Sequence, residues 1–128
     1  MDASALIEFV LVTEWSEPIG AILSAPETDL HVPALCDVEI TVGLRRALLE
    51  TALSASRAIL AIRDYLDLPL TRHGHQSLME RVLELRDDFS AYDATYVVLA
   101  ELLAARLLTA DERLAQAVRV HTRVTVLP

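Results

Sequence analysis

Four acidic residues, Asp2, Glu39, Asp93 and Asp111, are scattered over a chain of 128 residues. Each falls where a fold could deliver it to a common place. Asp2 is expected at the end of a first strand. Asp111 comes two residues after the apolar run Leu107-Leu108-Thr109, and in open parallel sheets functional sites form outside the carboxyl ends of strands. Glu39 and Asp93 fall in the early turns of helices able to line the same crevice. Clustered carboxylates repel one another, so a fold that gathers them usually does so for a divalent cation. Each acid also has a purely structural explanation. Asp93 lies three residues after Ser90 and would complete a capping box. Asp2 and Asp111 precede helical runs and suit the positive end of a helix dipole. Glu39, beside Asp37, suits a solvated helix position. Taken singly, each acid is better explained this way; only their conjunction points to chemistry.

Other chemistries find less support. All eleven basic residues are arginine and none is lysine, which argues against phosphate-binding loops, phosphoaspartate receivers and haloacid-type phosphatases, each of which needs a lysine. Three glycines (Gly20, Gly43, Gly74) cannot form a dinucleotide fingerprint. The single cysteine, Cys36, has no internal disulfide partner and sits in an apolar stretch, which reads as a buried, reduced thiol. His73 and His75 bracket Gly74 and read as a solvated loop. Trp15, near Phe9 and Leu11, reads as core packing, with a groove for a partner's amphipathic segment as the alternative. Nineteen acids against eleven arginines give a net charge of −8, which on its face disfavours a nucleic-acid partner. The objection weakens if four of the acids form one metal site, since that leaves 15 acids against 11 arginines.

The elements that must position these residues follow from hydrophobic patterning. Helices are expected over 3–12, from Ser16 onward with Pro18 in the first turn, and over 34–50, 54–66, 75–85, 90–105 and 111–118. Strands are expected at 30–32, 68–71, 107–109 and 124–127, with Pro69 tolerated on an edge strand. Strands separated by helices predict an α/β fold, a mainly parallel central sheet between helical layers, in one domain over 1–128. Neither a signal peptide nor an apolar run of membrane-spanning length is evident, which predicts a cytoplasmic protein. A hydrophobic content of 53 % and a mean hydropathy of +0.37 are high for so small a domain and predict a substantial protein interface.

Four segments resemble the motifs of PIN domains. Asp2-Ala3-Ser4-Ala5-Leu6 is similar to the family's opening motif. Pro33-Ala34-Leu35 through Val38-Glu39 resembles the segment of its second acid. Tyr92-Asp93-Ala94-Thr95-Tyr96-Val97-Val98-Leu99-Ala100-Glu101 resembles the third-acid helix of VapC toxins, and Leu108-Thr109-Ala110-Asp111-Glu112-Arg113-Leu114 the fourth. Their order and spacing cover nearly the whole chain. The resemblance implies a PIN-like three-layer sandwich and a metal-dependent endoribonuclease. Mg²⁺, or Mn²⁺ in its place, would be held by Asp2, Asp93 and Asp111, with Glu39 binding directly or through water and Thr109 orienting a carboxylate or water. It further implies a homodimer, an RNA substrate and a cognate VapB-type antitoxin. The competing reading is an inactive PIN-like scaffold that binds a protein partner. The family carries a buried strand ahead of its first aspartate, of which this chain has only Met1.

Overall fold

A computed structural model describes residues 1–127. Seven α-helices, one short 3₁₀ turn and four short strands alternate along these residues. The order is α1 (Ala3–Val10), α2 (Ser16–Leu23), β1 (Leu30–Pro33), α3 (Leu35–Leu49), α4 (Ala55–Leu66), β2 (Leu70–His73), the 3₁₀ turn (Gln76–Leu78), α5 (Met79–Glu84), α6 (Ala91–Leu102), β3 (Leu107–Leu108), α7 (Glu112–His121) and β4 (Val126–Leu127). The α/β class expected from the patterning is the class observed.

All strand pairings are parallel, but they form two separate pairs. β1 pairs with β2 in the register Leu30↔Leu70 to Pro33↔His73, and β3 pairs with β4 in the register Leu107↔Val126. The first strand expected ahead of Asp2 is absent among the described residues; Asp2 is instead the N-cap of α1. Residues 1 and 2 still link the two pairs. The Met1 nitrogen donates to the His31 carbonyl (3.1 Å), and the Asp2 N–H donates to the Leu108 carbonyl (2.9 Å). The strand expected at 68–71 begins two residues later, at Leu70. Pro69 has no N–H to give a ladder and therefore precedes the strand rather than sitting in it.

Helix α6 lies at the centre of the molecule. Ala94, Tyr96, Val97, Val98, Leu99 and Ala100 are all buried, which is more than one stripe of a helix surface. It packs against β1, β3 and α5, while α1 packs against α2, α3 and α4. The main core joins Leu6 and Val10 of α1, Val32 of β1, Ile40 and Leu44 of α3, Val97 and Leu99 of α6, Leu107 of β3 and Val118 of α7. Cys36 is fully buried and reduced, as expected. Trp15 is not a core residue: it is 46 % exposed, just before α2. His73 and His75 are not solvated loop residues either. His73 ends β2 and shares a 3.0 Å hydrogen bond with the His31 ring, while the His75 ring accepts the Leu35 N–H (3.0 Å) at the start of α3.

Candidate active site

The site is built on helix caps at the carboxyl ends of strands. Asp2 caps α1: its Oδ1 accepts the Ala5 N–H (3.1 Å) and the Ser4 hydroxyl (2.8 Å). Its Oδ2 accepts the hydroxyl of Thr109, just beyond β3, at 2.5 Å. Both Asp2 and Thr109 are 4 % exposed. The Thr109 Oγ1 in turn accepts the Asp111 N–H (3.0 Å), so one hydroxyl ties the start of α1 to the start of α7. Asp111 caps α7 by accepting the Leu114 N–H (3.1 Å). Ser4 closes the cluster by accepting the Ala110 N–H (3.0 Å). The capping roles expected of Asp2 and Asp111 are therefore real, and they fix where the remaining lone pairs of these carboxylates point.

The other two acids come from helices that cross this end of the sheets. Asp93 lies in the first turn of α6, where the Ser90 hydroxyl caps its backbone N–H (3.1 Å) and leaves the carboxylate half-exposed. Glu39, on α3, accepts a 2.5 Å hydrogen bond from the buried Tyr96 hydroxyl. Burial, then the nearby Cys36 and Glu39, raise the Tyr96 pKa, so this hydroxyl remains a donor that orients the Glu39 carboxylate.

The electrostatics couple Glu39 to Asp2 and Asp93. Burial raises the Asp2 pKa, against the opposing hydrogen bonds from Thr109, Ser4 and Ala5. Burial also raises the Glu39 pKa, and the negative charges of Asp2 and Asp93 add to that rise. Arg113 spans the open side, with its guanidinium 3.5 Å from Asp93 and 3.6 Å from Asp111. Of the residues singled out by the sequence, Asp2, Thr109 and Asp111 are joined by hydrogen bonds, Asp93 and Asp111 share Arg113, and Glu39 feels the charges of Asp2 and Asp93. Among the described residues, no three of their carboxylates converge closely enough to enclose a metal ion. The donor set is nevertheless of the right chemical kind for a hard divalent cation, consisting of oxygen ligands with no lysine.

Three residues were missed by the sequence reading. Ser4 stands two places after Asp2, Tyr96 three places after Asp93 on the same helix face, and Arg113 two places after Asp111. Helical spacing alone could have found Tyr96. Asp37, by contrast, belongs elsewhere: it accepts hydrogen bonds from Tyr65 (2.6 Å) and Arg72 (2.8 Å).

The PIN domain family model matches residues 1–120, and the chain belongs to that family. Its relatives include VapC ribonuclease Mb0985 of Mycobacterium bovis, 43 % identical over 99 residues, or 77 % of this chain and 78 % of that protein. Ribonuclease VapC12 of Mycobacterium tuberculosis is 35 % identical over 119 residues, covering 91 % of this chain and 88 % of that protein. Ribonuclease VapC3 of the same species is 36 % identical over 118 residues, covering 91 % and 85 %.

Proposed function

We propose that this protein is a metal-dependent endoribonuclease toxin of the VapC type, with residues 1–128 belonging to a single domain. The observation that carries the reading is the linkage of Asp2, Glu39, Asp93 and Asp111 through Thr109, Arg113 and mutual charge, in a chain related to ribonucleases over most of its length. Asp2, Asp93 and Asp111 would hold Mg²⁺, or Mn²⁺ in its place, with Glu39 contributing directly or through water. When bound, the cation neutralises charge on an RNA phosphate and acidifies water for attack on the phosphodiester.

The chain's own residues do the remaining work. Thr109 donates to Oδ2 of Asp2 while Ser4 and Ala5 donate to Oδ1, which together hold the orientation of this carboxylate. Tyr96 fixes Glu39 in the same way. Arg113 offsets two of the carboxylates and, from its exposed position, is placed to meet a phosphate. Exposed apolar side chains on α3 and α4, Val38, Val42, Ile59 and Leu60 among them, support a homodimer and an antitoxin interface. No helix of the described residues is long and apolar enough to cross a membrane, which is compatible with a cytoplasmic place of action. The deciding experiment is cleavage of a mixed RNA substrate by purified protein. Activity should require millimolar Mg²⁺ or Mn²⁺ and vanish in EDTA. Metal binding without cleavage of any RNA would favour the protein-binding scaffold instead.

Arg113 yields a separate expected result with two parts of opposite sign. Arg113→Ala removes a positive charge from beside Asp93 and Asp111, so Mn²⁺ measured by calorimetry should bind about threefold to tenfold more tightly. RNA cleavage should fall, mainly through a higher KM. An unchanged metal affinity would show that Arg113 does not sit over the carboxylates in solution.

A further inference from the structure

The chain has four histidines, His31, His73, His75 and His121. Two are taken up by other groups. The His75 ring accepts the Leu35 N–H, and the His121 ring stands 3.2 Å from the Asp88 carboxylate. The other two meet each other. His31 Nδ1 and His73 Nε2 lie 3.0 Å apart, with the ring planes tilted by 42°. One of these nitrogens donates and the other accepts.

The strand pairing holds the two rings together. β1 and β2 run parallel, with His31 opposite Thr71 and Pro33 opposite His73. Side chains alternate along a strand, so His31 and Pro33 share one face, and His73 joins them from across the ladder. The two imidazoles are therefore diagonal neighbours. Backbone bonding continues past the strand end, where the His73 carbonyl accepts the Ala34 N–H (2.8 Å). Both side chains are half-buried rather than sealed in the core.

We propose that His31 and His73 form a metal site separate from the carboxylate crevice: a two-imidazole chelate for a borderline transition-metal cation such as Zn²⁺. Two Zn–N bonds of about 2.0–2.1 Å in tetrahedral geometry separate their nitrogens by roughly 3.3 Å, so the rings need only open slightly and turn their lone pairs to a common point. No proton has to leave. Each neutral ring holds one, and the ring that now donates moves its proton to its outer nitrogen, His31 Nε2 or His73 Nδ1. Both inner lone pairs then face the cation. Imidazole nitrogen favours Zn²⁺, Ni²⁺ and Cu²⁺ over Mg²⁺, whereas carboxylate oxygens suit Mg²⁺, so ligand type sorts the two classes of cation between the two places. Water fills the remaining positions, since among the described residues no third His, Cys, Asp or Glu stands close enough to join. The ladder fixes both ligands in advance, which reduces the ordering cost of binding.

Calorimetric titration with Zn²⁺ in millimolar Mg²⁺ tests this on wild type, His31→Asn, His73→Gln and Asp93→Asn. Asn places an amide near the position of Nδ1 and Gln near that of Nε2, so each histidine variant keeps a hydrogen-bonding group and loses the ring pair. Wild type and Asp93→Asn should bind Zn²⁺ at the pair with equal affinity. Either histidine variant should weaken that binding by about tenfold or more. In Asp93→Asn, Zn²⁺ at about 100 times its dissociation constant should raise the melting temperature by several degrees, and adding His73→Gln should remove that rise. On the unmutated chain, Zn²⁺ should shift the imidazole proton resonances of His31 and His73 and leave those of His75 and His121 in place. Zn²⁺ binding that survives both histidine variants would overturn the proposal. So would binding abolished by Asp93→Asn alone, which would give the ion to the crevice, and so would no uptake at submillimolar Zn²⁺. None of these readouts depends on RNA cleavage.

Discussion

Asp93→Asn should reduce Mg²⁺-dependent RNA cleavage by at least about 100-fold while leaving the protein folded. The fold should survive because the Ser90 cap is made to the backbone N–H of residue 93, which the substitution does not touch. Asn fills the same volume, and the side chain is only half-buried. What is lost is one of the negative charges that act together on this crevice. The control is Asp37→Asn. Asp37 is also a helix carboxylate, but its partners are Tyr65 and Arg72. That variant should lose some stability and keep its activity per folded molecule. The measurement is single-turnover cleavage of a mixed RNA, with circular dichroism on each variant. Cleavage by Asp93→Asn within a few-fold of wild type would remove this residue from the site; equal losses in both variants would mean that activity tracks stability alone.

How much of this was legible in the sequence depended on how local its cause was. The helix-start positions of Asp2, Asp93 and Asp111 were legible because each has a short-range signal: Ser90 three residues before Asp93, or an acid at the head of a helical run. Helix ends were less so. The helix expected to Val12 stops at Val10, the one expected to 105 stops at Leu102, and the one expected to 50 stops at Leu49. All three stop two residues before a residue with positive φ, and those residues are Val12, Thr51 and Ala104 rather than glycine. The usual glycine stop signal is missing, and these residues adopt a conformation that costs a side-chain-bearing residue about 1 kcal/mol or more. The partners of Glu39 and Asp2 were not legible, because Tyr96 lies 57 positions from Glu39 and Thr109 lies 107 from Asp2. His73 was misread for the same reason: its partner His31 is 42 residues away, across a strand pairing whose register no local pattern specifies.

The same cluster should make stability depend on pH and metal together. Asp2 and Glu39 both have folded-state pKa values raised above the ordinary carboxylate range, chiefly by burial. For an acid shifted in this direction, the folded state holds its proton longer than the unfolded chain does. Stability from these groups is therefore present below the unfolded pKa of about 4 and falls as pH rises toward the raised values. Asp37 acts in the opposite sense: burial opposes its ionisation, but hydrogen bonds from Tyr65 and Arg72 prevail and lower its pKa. Its contribution is lost as pH drops below the carboxylate range, so the metal-free protein should be most stable in mildly acid solution. Mg²⁺ binds the folded cluster and not the dispersed acids of the unfolded chain. At about 100 times its dissociation constant it should add roughly 2.7 kcal/mol, a melting shift of several degrees for a domain of this size. The shift should grow from pH 5 to pH 8, because protons compete with the cation at the lower pH. Asp2→Asn separates the causes. It loses the Thr109 hydrogen bond at every pH, a constant offset, but it should flatten the decline of metal-free stability with rising pH. Melts in EDTA and in Mg²⁺ at matched ionic strength, for wild type, Asp2→Asn and Asp93→Asn, measure all of this. A Mg²⁺ shift that is equal in all three proteins would place the bound cation somewhere other than this crevice.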